Sequence, residues 1–386
     1  MPPRTGAWQK NPTRWASLAN PYLCQQFFHT QRGMLTVSYL LEYLTGLFAA
    51  LGCSLSDAQT VAQSLIEGEL LGLDAYGLVY AERYYELIRS GRIHLKPDMR
   101  IVYQTPSTAT LEADSALGPL AAKRGMELAI EKASTAGTGW VAVRGSNHFG
   151  VASYYSMLAI EKGMVGIAMS NSEPLVAPTN GTTRMLGTNP ISVSIPTQKH
   201  PPLVFDFSTV PFSQGKLERM SHPLPTYLVQ DVMGNPTRDA STLQRGGAML
   251  PLGGNAEHGG HKGFCIGALV DIFSALFSGA NFGPFVPPPF AYLPILTAPV
   301  GKGVGHFFGA LRIDAFRPAA EFRAAVDLWI DTFRNAPGRE GTPGVRIPGT
   351  AEQLLRTQRL QQGIPMRADI TRSLNKIARS VGYPLL

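Results

Sequence analysis

The sequence predicts an α/β (α+β) protein with a largely antiparallel or mixed sheet and no Rossmann domain. Short β-type runs recur at 140–145 (WVAVRG), 164–171 (MVGIAMSN), 191–195 (ISVSI) and 203–207 (LVFDF), separated by Gly, Pro and Asn turns rather than by regular helices. Helical periodicity precedes and follows that block. No strand–GxGxxG–helix segment occurs, so the dinucleotide fingerprint of doubly wound sheets is missing.

The elements follow in order. Residues 1–33 are rich in Pro, Trp and Asn, have no helical period and lack the apolar region of a secretory signal. They contain no Asp or Glu and carry Arg4, Lys10, Arg14 and Arg32. Three readings stand: a loose tail, an organellar transit peptide, or sequence upstream of a start at Met34, the last being favoured. Leu40, Leu41, Leu44, Leu47, Phe48 and Leu51 then recur at helical spacing up to Gly52. A second helix opens at Ser56, with Val61, Leu65 and Leu70 on one face, and a third covers 78–89 before a Ser90-Gly91 turn. TATLEAD (108–114) alternates and a helix over 120–136 leads into the strands. Later helices are predicted at 264–278, 318–334, 350–362 and 369–381. The apolar stretch 263–283 has Asp271 near its centre and Gly at both ends, without flanking positive asymmetry, so it reads as a buried helix rather than a membrane span.

Composition bounds the function. Of 386 residues, 44% are hydrophobic and only 16% charged, which excludes a disordered chain or coiled coil and allows a large core. Cys24, Cys53 and Cys265 show no CxxC spacing, so neither a disulfide framework nor a cysteine metal site is expected. That usage suits a reducing, cytoplasmic setting, with a mitochondrial one left open by the acid-free N-terminus. The net charge is +7, but four basic residues fall in the first 34 and no Lys/Arg cluster follows. Nucleic acid is therefore not an expected partner.

Chemistry-bearing residues crowd between Arg144 and Lys262. RGSNHFG (144–150) sets His148 between Asn147 and a Gly-ended turn; for an isolated histidine, the ordinary reading is a hydrogen-bonded core residue. LGTNPI (186–191) and FDFST (205–209) read as strand ends that expose hydroxyl, amide and carboxylate groups, and GNPTRD (234–239) as a plain turn. PLGGNAEHGGHKGF (251–264) is a Gly-rich loop entering a helix, where backbone N–H groups and Lys262 could cradle a phosphate. No GxxxxGK[ST], HExxH or GxSxG occurs.

The ordered set SNHFG, NSEPLVAP, LGTNPI, FDFS, GNPTRD, LPLGG and GHKGF, followed by VGHFFGALRIDAF (304–316) and VRIPGTAEQLLRTQRLQQGIP (345–365), resembles the type-2 malate/L-lactate dehydrogenase family. These are NAD(P)H-dependent reductases of 2-oxo acids and cyclic ketimines, with ureidoglycolate, sulfolactate and diketogulonate enzymes among them. The resemblance runs from about Met34 to the C-terminus. It implies a non-Rossmann cofactor domain (113–311), a helical substrate and dimerisation domain from 34–112 with 312–386, and a homodimer. It implies NAD or NADP as cofactor and a small 2-oxo or 2-hydroxy acid as substrate, with no metal and no membrane. By position, His148 matches an active-site histidine. Ser172, Asp206, Phe207, Ser208 and Lys262, with His261 beside it, fall at cofactor positions. Thr188 and Asn189 line the same cleft, and Asn147 would position its neighbour.

The pattern breaks in the helical part. The family carries DSHG there, with an Arg four residues after the His. This chain reads GLDAYGLVYAERYYE: Asp74 and Gly77 fit, but Ala75, Tyr76 and Tyr80 replace Ser, His and Arg. Tyr76 thereby takes the catalytic place and Tyr80 the substrate-binding place. A phenol ionises near ~10 against ~6.5 for imidazole, so it can donate a proton but is a poor base at neutral pH. Tyr80 offers one hydrogen bond where Arg offered a bidentate ion pair, a loss of ~1.5–3 kcal/mol. Arg83, three residues on, is expected at the surface unless the helix turns it inward. The resemblance thus implies an oxidoreductase with altered substrate scope; the alternatives are a catalytically impaired NAD(P)-binding homologue and a bare scaffold. His148, Asp206 and Lys262 speak against the scaffold, which has no chemical need of them.

Overall fold

A computed structural model describes residues 33–217, 220, 223–293 and 299–386. The readings of the N-terminal segment before Gly33 lie outside the described residues. The strands of the main sheet are β1 (Arg100–Gln104), β2 (Thr108–Glu112), β3 (Thr138–Ser146), β4 (Met164–Ser170), β5 (Ile191–Ile195), β6 (Leu203–Phe207) and β7 (Val304–Arg312). Their order is β1-β2-β3-β7-β4-β5-β6, with β2–β3 the one parallel pair and the other neighbours antiparallel. The expected mixed, largely antiparallel sheet is therefore present.

Helices α1 (Val37–Leu51) and α2 (Leu55–Leu70) start at side-chain caps, Thr36 accepting from the Tyr39 N–H and Ser54 from the Asp57 N–H. Gly52 ends α1 at φ 115°, a conformation that a Cβ would strain. With α3 (Tyr80–Arg89) and the C-terminal α9 (Ala368–Val381), they bury Leu40, Leu44, Leu65, Leu87, Leu374 and Ile377 in one helical core. A second core lies where α4 (Gly118–Ala136) and α5 (Ala152–Ile160) cover one sheet face, through Met126, Val143, Tyr155 and Phe308. Met169, Val270 and Phe307 form a smaller cluster with α6 (Gly260–Asp271). Helix α7 (Ala319–Arg334) packs Ile330 against Leu203 and Ile347, and α8 (Thr350–Gln362) follows.

Two readings need correction, and one strand gave no signal in the sequence. The strands are not separated by turns alone, because α5 lies between β3 and β4. Its sequence, ASYYSMLAI, lacks a polar face since Ala152, Tyr155, Ser156 and Ala159 are all buried. Strand β7, central in the sheet, shows no alternation because both its faces are covered. The 263–283 stretch is helical as expected, running through α6 into a π-helical turn at Ile272–Leu276, but only one flank is buried. Asp271 turns inward, accepting from Asn171 and from the Gly283 N–H at 3.0 Å each, while Leu269, Ile272, Leu276 and Phe277 are exposed. Among the described residues no helix is long and apolar enough to cross a membrane.

Candidate active site

The turn carrying Tyr76 is clamped from below by the end of α2. Gly68 and Gly77 approach so closely that a Cβ on Gly68 would lie 2.7 Å from the Gly77 Cα. The buried Glu69 carboxylate accepts the Leu78 N–H at 2.8 Å, and a Cβ on Gly77 would meet that same oxygen at 2.4 Å. Arg359 of α8 donates to the Glu69 carbonyl and lies 3.4 Å from Asp74. Asp74 and Gly77 thus hold the turn in place, and Tyr76 is what the turn presents.

The structure brings Tyr76, Tyr80 and His148 together. The His148 ring stacks on Tyr80 with centroids 3.7 Å apart and planes 6° from parallel; Tyr76 is parallel to within 10° at 6.3 Å. The Tyr84 hydroxyl donates to the His148 carbonyl at 3.0 Å, fixing the backbone from the helical side. The Gly150 N–H donates to His148 Nδ1 at 3.2 Å, which assigns the ring proton to Nε2. Burial holds the imidazole well below its usual pKa, and Arg83 adds to the effect, so the ring is neutral at pH 7. Burial, with Glu173 and Asp206 nearby, pushes the Tyr76 phenol up to about 12, although a Ser213 hydrogen bond opposes the shift. Tyr80 is raised further by its burial. Both phenols keep their protons.

Arg83 is half-buried and turned toward the cleft. Its guanidinium carbon sits 4.4 Å from the Tyr80 centroid and 4.5 Å from that of Phe290, and its charge acts on Tyr80, His148 and Glu173. The i, i+3 step on α3 sets a cation on the same face as Tyr80. Phe290 is anchored by Arg92, which donates to the carbonyls of Phe290 and Pro288 at 2.8 and 2.7 Å. Glu173, half-buried, follows Ser172: burial raises its carboxyl to about 7, with its own backbone N–H and then Arg83 pulling the other way.

The expected cofactor positions make contacts of their own. Ser172 Oγ accepts the Thr188 N–H at 3.0 Å, its own N–H donates to Asn189 Oδ1 at 3.2 Å, and Asn189 Nδ2 donates to the Gly267 carbonyl of α6 at 2.9 Å. Asn189 is held at φ 36°, where a non-glycine residue is strained. Ser208 Oγ donates to the Val210 carbonyl. Asp206 accepts the Ser153 N–H at 2.9 Å, capping α5 from a distance, and burial raises it to about 6. Asp206 and Phe207 line a cleft of about 680 Å³ together with Ile347, Pro348 and Gly349. Asn147 spends its amide on the Ser115 and Ala116 carbonyls, shaping the turn that precedes α4. His261 and Lys262 stand exposed in the first turn of α6, which begins at Gly259 with no side-chain cap and no acidic residue. The Gly260 and Lys262 N–H groups are taken by the Asn255 and Gly259 carbonyls, so the lysine, the hydroxyls and a carboxylate are the donor and acceptor set that fits a dinucleotide's phosphates and riboses.

Sequence reasoning passed over Glu173, Phe290 and Ser213. Glu173 was legible as an acid directly after Ser172; Phe290 and Ser213 lie in loops with no local signal. The ordinary reading of a buried core histidine applies to His306, fully buried, bridging the hydroxyls of Ser170 (2.8 Å) and Ser146 (2.7 Å).

A non-Rossmann sheet joined to a helical unit by a cleft of aromatic, imidazole and acidic groups defines the class. Residues 35–375 match the family described as malate/L-lactate dehydrogenase. Malate dehydrogenase of Pyrococcus abyssi is 38% identical over 347 residues, covering 89% of this chain and 93% of that protein. The malate/(S)-sulfolactate dehydrogenase of Methanothermus fervidus is 33% identical, covering 87% and 94%. Among solved structures, malate dehydrogenase from Pyrococcus horikoshii aligns with a TM-score of 0.83 at 35% identity, covering 92% of this chain and 97% of that one. The chain belongs to the malate/L-lactate dehydrogenase family, whose members are nicotinamide-dependent oxidoreductases of hydroxy acids.

Proposed function

We propose that this protein is an active reductase that moves a hydride between NAD(P)H and a 2-oxo acid, or its cyclic imino counterpart, with a substrate range shifted by Tyr76 and Tyr80. The observation that carries this reading is the inward position of Arg83. A cleft that had merely lost its arginine would hold no cation, whereas here one sits on the same helical face. A carboxylate on Arg83 gains a charge-assisted contact. The parallel rings of Tyr80, His148 and Tyr76 favour a flat substrate over a compact, strongly acidic one.

The nicotinamide, when bound, supplies the hydride. Ser172, Asp206, Phe207, Ser208 and Lys262 would hold the dinucleotide, with Lys262 toward its phosphates. His148, neutral and protonated on Nε2, and Tyr76 each present a hydrogen-bond donor to the substrate oxygen as charge develops there. Thr188 and Asn189 shape the wall between cofactor and substrate. A homodimer belongs to the same reading, with the exposed flank of α6 and the π-helical turn after it (Leu269, Ile272, Leu276, Phe277) as the face it would cover.

The test is initial-rate oxidation of NADH and NADPH against a panel of 2-oxo acids and cyclic imino acids. Turnover on at least one member is expected. Cofactor binding without turnover on any of them would favour the impaired homologue.

A further inference from the structure

His306 lies on β7, between the two strands whose ends lead into the site. Strand β3 ends at Ser146, just before Asn147 and His148, and β4 ends at Ser170, just before Asn171 and Ser172. The imidazole touches both ends: Nε2 is 2.7 Å from Ser146 Oγ and Nδ1 is 2.8 Å from Ser170 Oγ. Its ring also stacks on Phe149, the neighbour of His148, with centroids 4.7 Å apart and planes 5° from parallel. Each serine hydroxyl in turn lies against the carbonyl of the residue that follows it, Asn147 at 3.3 Å and Asn171 at 2.8 Å. The bonds therefore run without a break from the backbone of one site loop to the backbone of the other. A bulge in β3 precedes the contact. One extra residue stands between the Val304–Ser146 and His306–Val143 pairs, with Gly145 at φ 67°, and a bulge of this kind re-aims the strand end.

We propose that His306 is a positioning residue of the reduction, holding the loop of His148 and the loop of Ser172 at one separation so that substrate and cofactor meet in line. The proposal rests on the reductase reading above. His306 is fully buried and acts only through its neighbours. Its chemistry is what a link needs and a core filler does not. Phenylalanine would stack on Phe149 as well and would bury no polar atom, whereas a buried imidazole is costly unless both nitrogens are satisfied. Burial pushes this ring down to about 3, so it is neutral, with one nitrogen donating and the other accepting. It accepts from one serine and donates to the other, and loss of either hydroxyl leaves a nitrogen unpaired. Two short bonds across neighbouring strands leave the loops little freedom to slide. Hydride transfer is sensitive to that freedom, because the reacting atoms must come within ~3–3.5 Å and a misplacement of ~1 Å costs roughly a hundredfold in rate. Tyr84 holds the His148 carbonyl from the helical side, and His306 holds the same loop from the sheet side.

His306→Phe in the full-length protein tests the assignment, since it keeps the ring on Phe149 and removes both bonds. On the best substrate of the panel, kcat per NAD(P)H-binding site should fall by about ten- to a hundredfold, while KM and the NAD(P)H Kd, read by fluorescence, stay nearly unchanged. Counting only protein that binds cofactor separates this loss from a loss of folded protein. Ser146→Ala and Ser170→Ala supply a second measurement that leaves the ring in place and decides the matter if His306→Phe does not fold. Each should lower kcat, and the double variant should be no slower than the worse single one, because either break frees the same link. An active wild type whose His306→Phe variant keeps its kcat, or in which the two serine effects multiply, would overturn the role of His306 alone. A wild type that reduces no member of the panel would overturn the reductase reading, and this assignment with it.

Discussion

Glu69→Gln offers a quantitative check on how the Tyr76 turn is held. Glu69 is buried, and its carboxylate accepts the Leu78 N–H at 2.8 Å. Burial raises its pKa from 4.5 to about 7, against the opposing pull of that N–H. The folded state therefore binds this proton more tightly than the unfolded chain does. Stability from this group is full below the unfolded value and is lost as pH rises from there through the folded value. A rise of about 2.5 units corresponds to about 3 kcal/mol in total, most of it lost between pH 5 and 8. Gln keeps the acceptor for Leu78 and removes the charge. Urea unfolding of wild type and variant at pH 5 and pH 8 should give similar stabilities at the lower pH and a variant ahead by about 2 kcal/mol at the higher, once a weaker hydrogen bond is discounted. Glu173 and Asp206 titrate in the same window, but they do so in both proteins and cancel in the difference. A stability difference that is the same at both pH values would refute the reasoning.

Other outcomes follow from the same geometry. His148→Ala should cut turnover by about a hundred- to ten-thousandfold while NAD(P)H fluorescence still reports binding; full activity would remove His148 from the chemistry. Lys262→Met should weaken cofactor binding by ~1.5–3 kcal/mol, and wild-type binding should be the more salt-sensitive of the two, as isothermal titration would register. Restoring the family pattern with Ala75→Ser, Tyr76→His and Tyr80→Arg should raise activity on simple 2-oxo acids such as pyruvate only when Arg83→Met is added. Otherwise two guanidinium groups occupy one turn of α3; rates of the triple and quadruple variants decide it.

The legible part of this fold is the part written in local chemistry. Helix ends at Gly52 and strands at 191–195 and 203–207 carry their signals in a few adjacent residues, and the structure places them there. Strand β7 and helix α5 do not, because an element covered on all sides needs no polar face and loses the period that would announce it. The site divides along the same line. His148, Ser172, Asp206 and Lys262 lie in motifs whose residue types already suggest binding, whereas the inward turn of Arg83 depends on Phe290, some two hundred residues away, closing over it on a loop pinned by Arg92. Helical spacing alone puts Arg83 beside Tyr80 but leaves its direction open, since a guanidinium at that position is as well solvated outside as in. The two aromatic faces of Tyr80 and Phe290 settle it inward. Tyr80 therefore cannot be read alone: what it does in the cleft is set together with Arg83, which packs on its ring, and His148, which stacks on it.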